Sequence, residues 1–504
     1  MTNIAISTEN NKNKNTVSDY LLSLLIFPAY LLMAACNGSD SNNAASVDSA
    51  ALPLLVKAAG LTGDPTNGRT LPSIYDLKAQ LGKKLFFTKG LGGDSDSACV
   101  TCHHPSLGGG DDLSLSIGVG AEISDLLGPG RFHDTTATNY DGGPTVPRNA
   151  PTTFNVAMWD QALFHDGRVE SLGKTVGANG DDGLGIRTPD SAFDVADPNA
   201  GATLPAAQSR FPVTSPEEMR GFIFESGNNN DVVRVSLEAK LTAFGGWDAE
   251  FTAAFGDATI NYDRIAEAIG EYERSQVFVN SPWKAFVEGD TNAISESAKR
   301  GAMKFFSSID DGGANCVSCH SGDFFTDQKY HVLATPQIGR GKGDDNGTLS
   351  NDDFGRFRES KVAADMYKFR TPTLLNVEVT GPWGHAGAYT TLEGMVRHML
   401  NPTEAIANYD FSQLDQTIQA GDLLTNTQFA LDQLEANRIN NVDEVHRDVT
   451  YTDNDVTDLV EFLKSLTDPC VKDRHCLAPW IPDAGDTNPD GFRVNAIDNT
   501  GALL

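Results

Sequence analysis

Apolar residues recur at helical spacing in two distant stretches of the chain. Between Tyr262 and Phe278 the residues Ile265, Ala268, Ile269 and Tyr272 fall on one face. Between Asp455 and Leu466 the residues Val456, Leu459, Val460 and Leu463 do the same. Each pattern predicts an amphipathic helix with its stripe against a core. A third apolar run, Leu21 to Ala35, has no polar face and is too short for a comfortable membrane span. Pro and Gly clusters at 107–110, 128–130, 141–147 and 339–347 mark loops, and strand patterns are sparse. Residues 37–70, rich in Ser, Asn, Asp, Gly and Ala, predict a flexible tether. The Gly/Asp/Pro-rich stretch 173–207 reads as a solvated surface loop, with a lid or partner-docking surface as the functional alternative. The pattern predicts a mainly α protein with long loops.

Order along the chain repeats. Gly82-Lys-Lys-Leu-Phe86-Phe87 is followed by Cys99-Val-Thr-Cys102-His103, then Pro151-Thr152-Thr-Phe-Asn155, His165-Asp-Gly167 and Leu172. Gly301-Ala-Met-Lys-Phe305-Phe306 is followed by Cys316-Val-Ser-Cys319-His320, then Pro372-Thr373-Leu-Leu-Asn376, His385-Ala-Gly387 and Leu392. Matching spacings point to an internal duplication. The expected organisation is a leader over 1–36, the tether over 37–70, a first haem domain over 71–290, a second over 291–468, and a C-terminal tail over 469–504.

Cys-x-x-Cys-His is the attachment signature of c-type haem: two thiols bond the macrocycle and the histidine reaches the iron. Cys99, Cys102 and His103, and Cys316, Cys319 and His320, therefore predict two covalent haems. A structural zinc site would want four ligands close together, and thioredoxin-like redox chemistry does not need the histidine. The remaining cysteines are Cys36, Cys470 and Cys476. Leu32-Met-Ala-Ala-Cys36 resembles a bacterial lipoprotein cleavage box after a leader with Lys12 and Lys14, and implies a lipid anchor at Cys36; an ordinary signal peptide is the alternative. Cys470 and Cys476 suit a short-loop disulfide in an oxidising compartment, or a reduced, inert pair. The 504 residues carry a net charge of −30, which argues against nucleic acid or an anionic membrane surface as partner.

These motifs, with Arg148-Asn-Ala-Pro-Thr152, Phe164-His-Asp-Gly-Arg168, Ser215-Pro-Glu-Glu-Met219 and Thr380-Gly-Pro-Trp-Gly-His385, resemble the bacterial di-haem cytochrome c peroxidase and MauG family over about residues 70–468. The resemblance implies a peroxidatic N-terminal haem with Glu218, Gln208 and Pro212 on its distal side; a helix start rich in acids is the bland reading of Pro216-Glu-Glu218. It implies an electron-transfer C-terminal haem whose second axial ligand is Met399, with His398 as rival; MauG-type members place a tyrosine there. It implies calcium between the haems, held by Asn149, Thr380 and Pro382, although Asn149 could equally cap a turn. His165 stands where the family usually has tryptophan, so transfer between haems would be direct or use Trp159 or Trp383, or His165 would approach an iron. His133 and His104 are candidates for a distal ligand on the first iron.

The activity implied is reduction of hydrogen peroxide to water, with electrons from a small cytochrome c or cupredoxin, in the periplasm or at a lipid-anchored cell surface. Dimers are usual in the family. The alternatives are MauG- or MbnH-like oxidation of a tryptophan in a secreted partner protein, and a non-catalytic electron carrier.

Overall fold

The computed structural model describes residues 51–504 apart from 138, 226–228, 346–350, 416, 419–422 and 443–445. The leader, Cys36 and the first part of the tether lie outside the described residues. The helices are α1 (Leu52–Ala58), α2 (Leu77–Phe86), α3 (Leu204–Gln208), α4 (Asn230–Phe244), α5 (Trp247–Phe255), α6 (Tyr262–Arg274), α7 (Pro282–Val287), α8 (Glu296–Phe306), α9 (Phe357–Ser360), α10 (Leu392–Leu400), α11 (Pro402–Ala407), α12 (Leu423–Ile439) and α13 (Asp453–Lys464). Strands β1 (Ala162–Leu163), β2 (Val169–Ser171) and β3 (Ile186–Arg187) make one antiparallel sheet, and β4 (Tyr330–Val332) pairs antiparallel with β5 (Lys368–Arg370). Among the described residues no helix is long and apolar enough to cross a membrane.

Two helix pairs carry the fold. α2 packs on α6, and α8 packs on α13. Each crossing is made by a glycine that admits the partner backbone. A Cβ on Gly82 would lie 1.9 Å from the Ala268 carbonyl oxygen and 2.8 Å from Tyr272 Cβ. A Cβ on Gly301 would lie 1.9 Å from the Asp458 carbonyl oxygen and 2.9 Å from Phe462 Cβ. The predicted apolar stripes are the buried faces of α6 and α13. α6 stops at Arg274, short of Phe278, because tertiary bonds claim the next backbone groups: the Gln276 carbonyl accepts from Asn155 N at 2.8 Å. α13 starts earlier than expected, at Asp453, because Thr452 and Asp455 form a reciprocal capping box.

Three expectations are corrected. The tether does not extend to 70: α1 buries Leu52 and Val56 against α8, and Arg69 pairs with Asp160 at 2.6 Å. The 173–207 stretch is knit into the protein. Its β3 joins the sheet, Asn179 donates to the Val156 and Trp159 carbonyls, and Arg187 reaches Glu359 at 2.9 Å. Residues 469–504 are no loose tail; Val471, Leu477, Ile481, Val494 and Ala496 join the same apolar cluster as Phe86, Phe87 and Tyr272. Cys470 and Cys476 form the disulfide, with Cα atoms 5.3 Å apart, inside the usual range for a bridge.

Candidate haem sites

Both Cys-x-x-Cys segments fold as a short 3-10 turn, Cys99–Thr101 and Cys316–Ser318, which brings the two thiols of each pair to one side of the chain. All four cysteines are unbridged. Each following histidine uses its inner nitrogen on a backbone carbonyl. His103 Nδ1 donates to Gly109 O at 3.1 Å and His320 Nδ1 donates to Phe325 O at 3.0 Å. That bond fixes the ring and leaves Nε2 free to ligate a metal. Burial pushes both histidines below their ordinary value, which favours the neutral imidazole that ligation requires. These thiols and imidazoles fit covalent haem at both places.

The carbonyls that hold the histidines are themselves clamped. Thr152 Oγ1 donates to Gly108 O at 2.6 Å, one residue before the His103 acceptor. Thr373 Oγ1 donates to Phe324 O at 2.6 Å, one residue before the His320 acceptor. Three residues further on, Asn155 and Asn376 adopt left-handed backbones (φ 61° and 62°), and both side-chain amides donate to the Phe278 carbonyl, at 3.0 and 2.9 Å. The Pro-Thr-x-x-Asn repeats are thus braces under the two proximal loops.

Beyond this shared base the two sites differ. In the first, Pro216–Arg220 forms one turn of π-helix, a geometry frequent at functional positions. It lies against the Cys99 thiol: Met219 Sδ is 3.9 Å from Cys99 Sγ, and the Glu218 carbonyl accepts from Ser97 Oγ at 2.8 Å. Burial pushes the Glu218 carboxyl up, while the charges of Arg168 and Lys342 pull it back. Pro212 opens the preceding 3-10 turn and Gln208 ends α3, so all three predicted distal residues lie on one continuous stretch. Ser215 offers no side-chain cap to the turn, unlike an ordinary helix start.

In the second site, α10 carries Met395, His398 and Met399. His398 is buried with both ring nitrogens engaged: Nδ1 accepts from Tyr389 Oη at 2.8 Å and Nε2 donates to Leu333 O at 2.8 Å. Met399 is half-buried, and its carbonyl accepts from His446 Nε2 at 2.6 Å. The spacing left out His331, whose Nε2 lies 2.8 Å from Asp327 Oδ2; with Cys319 these form a three-donor cluster within 4.8 Å. Burial opposes a charge on His331, but the Asp327 carboxylate bonded to it favours the charged ring and raises it above its ordinary value. An Asp at i and a His at i+4, just after the second attachment motif, was the only signal in the sequence.

Between the sites runs a buried ionic network. Arg148 pairs with Asp166 at 2.6 Å and with Asp353 at 2.7 Å, and Arg356 pairs with Glu170 at 2.6 Å. His165 Nε2 donates to Asn149 O at 3.1 Å, and burial followed by the charge of Arg148 pushes it down to about 3. It is a neutral wedge within this network. The Asn149 amide donates to Leu113 O and Ser114 O, and its backbone N–H bonds His385 O, which ties it to the loop of Thr380 and Pro382. His133 bonds the Asp134 carbonyl, packs on Tyr140 and bridges Ala121, two residues after Val119, whose backbone N–H donates to Glu217 O at 3.2 Å; His104 caps its own 3-10 turn. Trp159 carries the Arg370 guanidinium 3.5 Å from its ring centroid. Trp383 donates from Nε1 to Val377 O at 3.0 Å and lines an open cavity of about 360 Å³.

The sequence profile described as "Di-haem cytochrome c peroxidase" matches residues 76–292. The methylamine utilization protein MauG of Methylophilus methylotrophus is 29% identical over 346 residues, covering 69% of this chain and 78% of that protein. The cytochrome c551 peroxidase of Pseudomonas aeruginosa is 28% identical over 330 residues, covering 65% of this chain and 73% of its own. The profile match and these relatives together support the chain as a member of the di-haem cytochrome c peroxidase and MauG family. It is an oxidoreductase of the cytochrome c peroxidase type.

Solved structures agree on the fold of this family member. A MauG-like protein associated with microbial copper homeostasis aligns with TM-score 0.53 at 20% identity, covering 83% of this chain and 98% of its own. The diheme peroxidase BthA of Burkholderia thailandensis aligns with TM-score 0.52 at 21% identity, covering 85% and 92%.

Proposed function

We propose that the protein reduces hydrogen peroxide to water at the first haem, with electrons that enter at the second. The observation that carries this reading is Glu218. It is an ionisable acid on a π turn whose next residue, Met219, sets its sulfur 3.9 Å from the Cys99 thiol. Haem held by Cys99, Cys102 and His103 would supply the electrons that split the O–O bond. Glu218 would take a proton from the peroxide oxygen nearer the iron and return it to the farther one, which leaves as water. Two electrons and two protons per peroxide balance the formation of two waters. Gln208 and Pro212 complete the distal stretch.

Met399 would cap the second haem, held by Cys316, Cys319 and His320, and so reserve it for electron transfer. Its rival His398 has both nitrogens engaged. Asn149 Oδ1, with the Thr380 and Pro382 carbonyls, offers the hard oxygen donors calcium prefers. Trp383 is the better relay between the haems. A guanidinium over Trp159 makes removal of an electron costly, whereas the carbonyl on Trp383 Nε1 favours it. The chain would be exported, anchored through Cys36, and supplied by a small periplasmic cytochrome or cupredoxin.

One observation favours a second use of the same haems. Trp383 is half-buried at an open cavity, a route by which oxidising equivalents could reach a secreted protein partner. Turnover of peroxide with a reduced cytochrome donor, with mass spectrometry of a co-expressed neighbour, separates the readings. Peroxidase function predicts donor oxidation with an unmodified neighbour; partner oxidation predicts added mass on it; an electron carrier predicts neither.

A further inference from the structure

A glycine-rich segment of the second half, Gly339-Arg-Gly-Lys-Gly343, reaches across to the distal acids of the first half. All three glycines have positive φ (75°, 60° and 74°), so the chain turns repeatedly and presents the two basic side chains between them. A Cβ on Gly341 would meet the Asn351 carbonyl at 1.9 Å, so the turn closes only with glycine there. Backbone bonds hold the segment firmly: Lys342 N and Asp344 N both donate to Asp352 O at 3.1 Å, and Arg358 Nη1 donates to Lys342 O at 3.3 Å. From this base Arg340 Nη1 lies 3.9 Å from Glu217 Oε1 and 3.3 Å from Asp141 Oδ2, and donates to Thr145 O at 3.2 Å. Lys342 is half-buried, and its charge bears on Glu218 and Asp166 alongside that of Arg168. Burial, with Arg168 and Arg148 nearby, pushes Lys342 down to about 8, so it still carries its proton at neutral pH.

We propose that Lys342, steadied by the Arg340–Glu217 contact, completes an anion-accepting subsite over the first haem. The subsite rests on the reading of that haem as the open one. Its ligand class is a small anion bound at the iron, such as the conjugate base of a peroxide. Glu218 takes the proton, and Lys342 balances the negative charge left behind. Neither the first-half motifs nor the attachment signatures specify this group, because it arrives from the other half of the chain. Lys342 acts as a positioning charge.

The test is fluoride binding to the ferric holoprotein, read by the change in the high-spin absorbance, with Lys342→Met, Lys342→Arg and Arg340→Gln compared with the parent. Lys342→Met is expected to weaken fluoride binding by about tenfold or more, the effect of losing one close charge in a partly screened site. Lys342→Arg should restore most of it, and Arg340→Gln should give a smaller loss. The low-spin spectrum of the second haem reports folding in every variant. Unchanged fluoride affinity in Lys342→Met, in a protein that turns over peroxide, overturns this inference and leaves the peroxidase reading intact. A parent protein that binds neither fluoride nor peroxide overturns both.

Discussion

The two cysteine-histidine sites share a base and diverge beyond it. Below each, a threonine clamps the loop that orients the histidine, an asparagine braces that threonine's segment against Phe278, and a glycine lets one helix cross another in contact with its backbone. Elsewhere they part: the first half carries an acid on a π turn with basic groups beside it, and the second half carries a helix with Met399 and a fully engaged His398. The helices behind them differ too. The residue after Tyr272 is the buried Glu273, whereas the residue after Phe462 is the buried Leu463. The shared base holds each histidine rigidly, and under the proposed function the residues that differ give the two sites their separate roles.

The largest effect is expected where the sites differ most. Glu218→Gln should lower peroxide turnover by about 10²–10⁴-fold, the usual worth of a positioned proton-transfer group, while haem content stays the same. The acid must be ionised to accept a proton. Burial raises its pKa, so in the parent protein turnover should fall on acidification at a pH above the ordinary range for glutamate, and a pH–rate profile checks this. Next, Met399→Leu should convert the second haem from low to high spin by electron paramagnetic resonance, whereas His398→Gln should leave its ligation unchanged.

Glu273 sharpens the contrast between the supporting helices. Burial raises its carboxyl from 4.5 to about 8. Its contribution to stability is therefore fully present below 4.5 and is lost as pH rises towards about 8, by up to about 1.4 kcal/mol per pH unit. Glu273→Gln should flatten that slope in denaturant titrations across this window; Leu463→Gln has no such slope to remove. The smallest effects concern what the sites share. Gly82→Ala and Gly301→Ala should each cost about 1–3 kcal/mol by overpacking, and by similar amounts, in thermal unfolding.

Local features were legible in the sequence and long-range ones were not. The attachment motifs and the buried stripes of α6 and α13 stand in contiguous residues. Helix ends were less legible. Gln276 leaves the helical pattern only because Asn155, far away in the chain, takes its carbonyl. Composition misjudged 51–70 and 173–207, since polar, Gly- and Pro-rich segments can still dock through a few apolar residues such as Leu52 and Ile186. Lys342 lies in a stretch whose glycines signalled only a loop, and its meaning depends on which acids the fold sets against it.

The most direct test of the account is the haem content and spin state of the oxidised, exported protein, measured on one sample by pyridine haemochrome assay and electron paramagnetic resonance. Two haems per chain, one high-spin and one low-spin, with Glu218→Gln leaving both signals in place, is the predicted result. A single haem, or two low-spin haems with no position open to peroxide, would contradict it.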